Sequence, residues 1–371
     1  CTLPFIIVVV FSKCNYIFNK LICIDAESIS MRELLAVGDE DSLKLWENLS
    51  LCYTETRGLP QLREEITKDI PALTLENALC FAGAEEGIYC TFNTLLNSSD
   101  HAIVVTPCYQ SLKSIPETLC SVSTLDLTPQ TGWTLDLKEI RELVRPGVTK
   151  LIVVNFPHNP TGTSITRETQ MELVALAKEF DLWLFWDEVY RGVEREVDEH
   201  GCASSLPVVA SLYDKAISLG AVSKTYGMAG LRIGWIICAD KDMVNAIADN
   251  KHYLSICNSG PSEILALMAM RAKDKVVGRN MQIIRTNEAY LAEFMQKHPS
   301  LLSWTPPKGG CCGFMQVNLP DEVDLAEVCE RLVQEFLRDI LGGDFLAEQV
   351  AGHVVLLRNA ARAGTAGDHG V

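Results

Sequence analysis

The sequence predicts an α/β protein in which helices flank a mostly parallel central sheet and a smaller α+β domain completes the chain. Strand-like and helix-like runs alternate through the middle of the sequence, which is the pattern of βαβ units. The strand-like runs are almost continuously apolar, as expected for strands that helices cover on both faces. After about residue 275 this alternation stops, and a long amphipathic run leads into further strand-like segments.

The elements of the middle region follow from hydrophobic pattern and length. Five strands are predicted, over 101–106, 150–155, 182–186, 216–219 and 233–238. A helix is predicted over 167–180, because apolar side chains recur there at helical spacing. Its inward face comprises Met171, Leu173, Val174, Leu176 and Ala177.

The C-terminal part has a different order of predicted helices and strands. An amphipathic helix is predicted over 279–297, then strands near Leu301 and Met315, then a helix over 325–339. The N-terminal stretch is expected to complete this unit. The sequence therefore predicts a large domain over 49–274 and a small domain formed by 1–48 and 275–371.

The apolar run over 3–11 has about the length of a signal-peptide core, but no basic region precedes it and no clear cleavage site follows. It is too short to span a bilayer. We interpret it as a buried segment or as the artefact of a fragmentary start. We therefore predict a cytoplasmic protein without membrane association.

Composition excludes several other classes of protein. Hydrophobic residues make up 48% and charged residues 22% of the 371 residues, as in a folded globular protein. The net charge is −16 and no basic run could follow a phosphate backbone, so nucleic acid is not an expected partner. The 14 cysteines are scattered, which favours free thiols in a reducing compartment, and the Cys/His spacing predicts no metal site.

Four loops carry unusual chemistry. Two follow predicted strands, as NFPHNPTGT at 155–163 and DEVYRG at 187–192. The third, FAGAEEG at 81–87, precedes a helix, and the fourth is SKTYGMAGLRIGW at 223–235. Because ligands bind at the carboxyl ends of the strands in an open parallel sheet, we expect these loops to form one site.

Each motif alone also has a structural interpretation. Asn159 lies in a good turn sequence, Asp187 could cap a helix, and Lys224 could extend to the surface from an apolar stem. Together, however, the residue types match one cofactor. A lysine amine can form a Schiff base with an aldehyde, a buried aspartate can keep a pyridine nitrogen protonated, and an arginine beside a helix N-terminus can hold a phosphate.

From about Trp46 to Met315 the chain resembles the class I/II aminotransferases, which are pyridoxal phosphate (PLP) enzymes of fold type I. NPTG, DEVY and SK-x(7)-R occur in the family's order and approximate spacing. The resemblance implies that Lys224 binds the cofactor aldehyde and moves the substrate proton, while Asp187 pairs with the pyridine nitrogen. It also implies that Asn159 and Tyr190 contact the phenolate oxygen and that Tyr109 stacks on the ring.

The resemblance further implies a phosphate site. Backbone groups of Gly83, Ala84 and Glu85 would donate to the phosphate, and Arg232 would supply charge. Tyr53, in YTETRG, would reach the phosphate bound in a second subunit, which implies a homodimer.

The substrate side departs from the family pattern. The arginine that clamps the substrate carboxylate has its nearest candidate in Arg358, which would bind substrate together with Asn159; Arg358 could instead belong to an aberrant tail. Ala221 stands where many members carry a hydroxyl, so one phosphate hydrogen bond of roughly 1 kcal/mol is expected to be missing.

We therefore predict a PLP-dependent aminotransferase that moves an amino group between an α-amino acid and a 2-keto acid. Two alternatives remain open, because the same scaffold hosts other reactions. One is a C–S or β-elimination lyase or a cyclising synthase, and the other is a catalytically inactive relative that acts as a binding protein. A nicotinamide-dependent dehydrogenase is disfavoured, since no convincing G-x-G-x-x-G follows an early strand.

Overall fold

A computed structural model describes residues 5–10, 27–196, 205–318 and the single position 331. The larger of the two sheets in these ranges has seven strands. They are β2 (Ala78–Phe81), β3 (His101–Thr106), β4 (Ser121–Asp126), β5 (Thr149–Asn155), β6 (Trp183–Asp187), β7 (Ala216–Ala221) and β8 (Gly234–Cys238). The smaller sheet contains β1 (Phe5–Val10), β9 (Leu302–Trp304) and β10 (Cys312–Val317).

The larger sheet has the strand order β2-β8-β7-β6-β5-β3-β4. Strands β4, β3, β5, β6 and β7 pair in parallel, whereas β8 pairs antiparallel to both β7 and β2. The predicted mostly parallel sheet is confirmed. The five parallel strands bring their carboxyl ends to one edge.

The described ranges contain ten helices of seven or more residues. They are α1 (Met31–Val37), α2 (Glu40–Glu47), α3 (Pro60–Thr67), α4 (Ala84–Leu95), α5 (Gln110–Leu119), α6 (Leu137–Leu143), α7 (Arg167–Glu179), α8 (Lys241–Lys251), α9 (Gly260–Arg271) and α10 (Lys273–Lys297).

Helices cover both faces of the larger sheet. Side chains of α4, α5 and α8 pack with Leu151 and Val153 of β5 on one face. Side chains of α6 and α7 pack with Ile152 and Val154 on the other. Because successive residues of a strand point to opposite faces, the continuous apolar run of β5 fills both cores.

The predicted strands match the observed ones to within two residues at their ends, but the predicted face of α7 contains an error. Met171 is 44% exposed, whereas Gln170 is buried. The Gln170 amide donates to the carbonyl oxygen of Pro207 at 2.9 Å. A polar side chain that finds this partner can occupy an inward position, and the apolar Met171 lies outside.

The smaller sheet pairs the N-terminal strand with the C-terminal region of the chain. Strand β10 lies between β1 and β9, and both pairings are antiparallel. This pairing is what the predicted small domain requires, although the domain boundaries themselves stay a prediction. The helix predicted over 325–339 falls outside the described residues except at position 331. In the described part of the chain, no helix is both long enough and apolar enough to cross a bilayer.

Candidate active site

The candidate site lies at the carboxyl edge of three adjacent strands. Strands β5, β6 and β7 are neighbours, and each leads directly into a loop that the sequence singled out. Asn155 and Asp187 are paired at the end of β5 and β6, and Lys224 follows β7 by three residues.

Asp187 is the buried acid of this edge. It is 4% exposed, and its Oδ1 atom accepts a hydrogen bond from the Val189 amide at 3.1 Å. Burial raises the pKa of the Asp187 carboxyl to about 7, and the charge of Lys224 acts in the opposite direction. A protonated ring nitrogen placed against this carboxylate would add a further positive charge that favours its ionised form.

Asn155 connects two loops of the site. Its side-chain amide donates to the carbonyl oxygen of Asp187 at 2.9 Å, while its Oδ1 atom accepts from the Asn159 backbone amide at 2.8 Å. Asn159 is therefore held beside the strand that carries Asp187. Sequence reasoning missed Asn155, although its position at the end of an apolar strand was a usable signal.

Gly83 and Arg232 meet at the start of α4. Gly83 has φ +99°, and a Cβ at this position would lie 2.5 Å from Nη2 of Arg232. The guanidinium thus sits directly over the turn because glycine has no side chain. Helix α4 begins without a side-chain cap, so its first turn offers amide donors and a partial positive charge to an anion.

One detail of the predicted phosphate site differs. The Gly83 amide donates to the carbonyl oxygen of Phe81 at 2.8 Å, so it is engaged within the turn. The expected backbone donors are therefore Ala84 and Glu85, and Gly83 serves by admitting Arg232. Ala221, which stands where many family members carry a hydroxyl, is buried at the end of β7.

Tyr109 lies at the rim of the site. It immediately precedes α5 and remains partly exposed. Burial and the neighbouring Glu85 carboxylate raise the pKa of its phenol, whereas the Lys224 charge lowers it. Glu85 and Lys224 therefore both lie near Tyr109, and its stacking on the cofactor ring stays a prediction.

Tyr190 is fully buried against the turn that precedes β10. Its hydroxyl lies 3.8 Å from the Sγ atom of Cys312. Burial, Cys312 and Cys311 raise the pKa of Tyr190 well above its ordinary value, so the phenol stays protonated and can donate a hydrogen bond. Sequence reasoning gave Cys311 and Cys312 no place in the site.

The remaining two predicted site residues are Tyr53 and Arg358. Tyr53 is 86% exposed within the single chain, and Arg358 lies outside the described residues. Their roles stay predictions. Within the described part of the chain, no three His, Cys, Asp or Glu side chains cluster as a metal site would need.

The donor set fits PLP. The buried carboxyl with its raised pKa faces the charge of Lys224, and the uncapped α4 start with Arg232 above Gly83 forms a cradle for a phosphate. A mostly parallel sheet with this set at its carboxyl edge defines the PLP enzymes of fold type I. Residues 48–349 match the family model described as aminotransferase class I and II, and the chain belongs to this family.

Individual relatives show the range of the family. The chain is 27% identical to capreomycidine synthase of Streptomyces vinaceus over 320 residues, which cover 86% of this chain and 77% of that protein. It is also 27% identical to an arginine–pyruvate transaminase of Pseudomonas aeruginosa, over 82% of this chain and 77% of that one. A PLP-dependent aminotransferase structure from Streptococcus suis superimposes with a TM-score of 0.76 at 28% identity, covering 84% of this chain and 81% of that chain.

Proposed function

We propose that the protein is a PLP-dependent aminotransferase that exchanges the amino group of an α-amino acid for the oxygen of a 2-keto acid. The observation that carries the proposal is the buried Asp187 carboxyl beside Lys224, at the carboxyl ends of β6 and β7. Burial of this acid is unfavourable for its charged form even beside Lys224, and a protonated pyridine ring would stabilise the carboxylate further.

Different residues of the chain would bind the cofactor, orient it and transfer the proton. When bound, PLP supplies an aldehyde that condenses with primary amines and a ring that takes up an electron pair. Arg232 and the first turn of α4 would hold the phosphate. Asp187 would keep the ring nitrogen protonated, and Tyr190 and Asn159 would donate to the phenolate oxygen. Nζ of Lys224 would remove the proton from the substrate α-carbon and deliver it to the cofactor carbon.

An absorption experiment tests this function. We expect the purified protein with added PLP to be yellow and to lose the visible band when its amino acid substrate is added. Addition of a 2-keto acid should restore the band, because the amino group stays with the protein between two half-reactions. A protein that shows no visible band after unbound PLP has been removed would contradict the enzymatic proposal and favour the inactive binding protein.

A cyclising synthase is the second candidate function. Capreomycidine synthase is as similar in identity as the arginine–pyruvate transaminase. The same experiment separates the two functions. A synthase should consume its amino acid in many turnovers without any keto acid, whereas an aminotransferase should stop after one equivalent.

We also propose a homodimer, supported by an exposed apolar patch. The patch lies on two segments of the chain, one around Tyr53 and one around Tyr253. Thr54 of the first segment donates to the carbonyl oxygen of Asn258 in the second at 2.9 Å. The most exposed apolar side chains of this region are Leu51, Tyr53 and Tyr253, each at least 86% exposed. Patches of this kind mark contact surfaces, and here the expected partner is a second copy that receives Tyr53.

Sedimentation of a Tyr53→Asp variant tests the dimer. Wild-type protein should sediment at twice the chain mass, and the variant should dissociate at least about tenfold more readily, because a charge enters an apolar contact. Tyr290→Asp is a matched control, since Tyr290 is also highly exposed but lies on α10. A monomeric wild type would refute the dimer. The cytoplasmic location remains part of the proposal and rests on the scattered cysteines.

A further inference from the structure

Residues 307–312, which we name the strap, comprise the last part of the β9–β10 connection and the first residue of β10, and they lie against two loops of the candidate site. The amides of Lys308 and Gly309 donate to the carbonyl oxygen of Gly162 at 2.6 and 2.9 Å. Gly162 has φ +70°, and a Cβ on it would lie 2.3 Å from Cβ of Pro307. The strap is therefore bonded closely to the loop that carries Asn159.

The strap also forms one wall of the Tyr190 pocket. A methyl group added to Gly310 would lie 3.5 Å from Cδ1 of Tyr190, in ordinary contact with the ring. The next two residues, Cys311 and Cys312, are each 1% exposed, and Cys312 lies beside the Tyr190 hydroxyl. Any outward movement of the strap would thus release the ring of Tyr190 on this side.

Arg195 attaches the strap to the loop that follows β6. Its backbone amide donates to the carbonyl oxygen of Lys308 at 2.8 Å, and its Nη2 donates to that of Gly310 at 2.8 Å. Its Nη1 donates to the carbonyl oxygen of Val193 at 2.6 Å. One residue thus connects two segments that are 115 positions apart in sequence.

Glu288, on α10, fixes the orientation of this guanidinium. Nε of Arg195 lies 2.8 Å from Oε1 and 3.0 Å from Oε2 of Glu288. The two side chains are 15% and 18% exposed, so solvent screens their attraction less than it screens a surface pair. The planar fork of arginine serves three carbonyl or carboxylate partners at once, which a lysine ammonium cannot reproduce.

We propose that Arg195 is a positioning residue, held by Glu288, that keeps the strap against Tyr190 and so sets the direction of the Tyr190 hydroxyl. The inference rests on the proposed function, because Tyr190 is expected to contact PLP. The pair of Arg195 and Glu288, named here the clamp, thereby links α10 to the site.

Thiol labelling tests the clamp without any catalytic readout. Arg195→Lys is treated with 5,5′-dithiobis(2-nitrobenzoate), and the labelled cysteines are identified by peptide mass spectrometry. Cys311 and Cys312 should react slowly in the wild type and at least about tenfold faster in the variant, because local opening of the strap becomes easier. Cys52, which is exposed within the single chain, should react equally in both proteins.

Arg141→Lys is the matched control variant. Arg141 forms a similar two-bond ion pair with Glu179, at 2.6 and 2.7 Å, but both side chains are about half exposed and belong to α6 and α7. Its strap labelling should equal that of the wild type. If Cys311 and Cys312 of Arg195→Lys label within about twofold of the wild-type rate, the clamp is refuted.

A second variant, Glu288→Gln, tests the clamp if Arg195→Lys does not fold. If Arg195→Lys unfolds, the core cysteines Cys80 and Cys238 will label as well, and Glu288→Gln then decides. An increased ratio of strap labelling to core labelling in Glu288→Gln supports the clamp. An unchanged ratio overturns it.

The link from the clamp to Tyr190 has its own spectroscopic readout. The pH midpoint of the visible band of bound PLP should move upward by about half a unit or more in Arg195→Lys, since a donor to the phenolate oxygen is weakened. The value of kcat should fall more than KM rises. An unchanged midpoint would refute the link. A wild type that binds no PLP would contradict the proposed function, and labelling would still decide the clamp.

Discussion

Lys224→Ala is expected to lower turnover by at least about 10⁴-fold and to remove the visible band that PLP acquires in the wild-type protein. Lys224 lies just beyond β7, and its charge acts on the pKa of Asp187, Tyr109 and Cys311. An amine that acts on all three groups is suitably placed to reach a ring set against Asp187. The measurements are steady-state rates and an absorption spectrum of the protein with PLP.

Lys215→Ala is the matched control for this variant. Lys215 precedes β7 as Lys224 follows it, and its ammonium pairs with Asp181 at 2.7 Å at the opposite edge of the sheet. This control should keep the wild-type rate and band. Methylamine added to Lys224→Ala should restore part of the turnover, because it can carry the proton that Nζ carries. Undiminished turnover in Lys224→Ala would contradict the mechanism.

The sequence was most informative where burial alone decides structure. Strand β3 was predicted to the residue, because HAIVVT is apolar over most of its length and helices cover both faces. Strand β4, with the sequence SVSTLD, was not predicted. It lies at the sheet edge, only one of its six side chains is buried, and its polar residues give no clear period. The antiparallel direction of β8 was also missed, because strand direction depends on tertiary pairing.

The candidate site was predictable where residues follow strands and unpredictable where they meet through long-range contacts. Asp187 and Lys224 stand just after apolar runs, so the rule for carboxyl ends located them. Arg195 and Glu288 are 93 positions apart, and nothing in their local sequence indicates that they pair. Cys312 and Tyr190 are likewise 122 positions apart and meet only through tertiary contacts.

Asp187→Asn is expected to lower kcat on the order of 10³-fold while PLP remains bound. The amide cannot hold a proton on the ring nitrogen, so the electron pair at the substrate α-carbon is less stabilised. The phosphate contacts expected from Arg232 and α4 are unchanged by this substitution. Turnover and PLP affinity are measured side by side. Asp181→Asn is the control, because Asp181 precedes β6 at the other end of the same strand and is exposed.

The same substitution should stabilise the protein when PLP is absent, and the effect should depend on pH. Burial raises the pKa of Asp187 to about 7, above the value of about 3.9 expected in the unfolded chain. Between these values the folded state binds more protons, so the free energy of unfolding of the wild type falls as pH rises. Asp187→Asn removes this penalty.

The melting temperature of the cofactor-free Asp187→Asn variant should therefore equal that of the wild type near pH 4 and exceed it by a few degrees near pH 8. Calorimetry at both pH values, with Asp181→Asn beside it, measures the difference. A variant that is less stable than the wild type at pH 8 would show that the carboxylate has a strong partner within the protein. Asp187 would then need no cationic ring to balance its charge, even if turnover were lost.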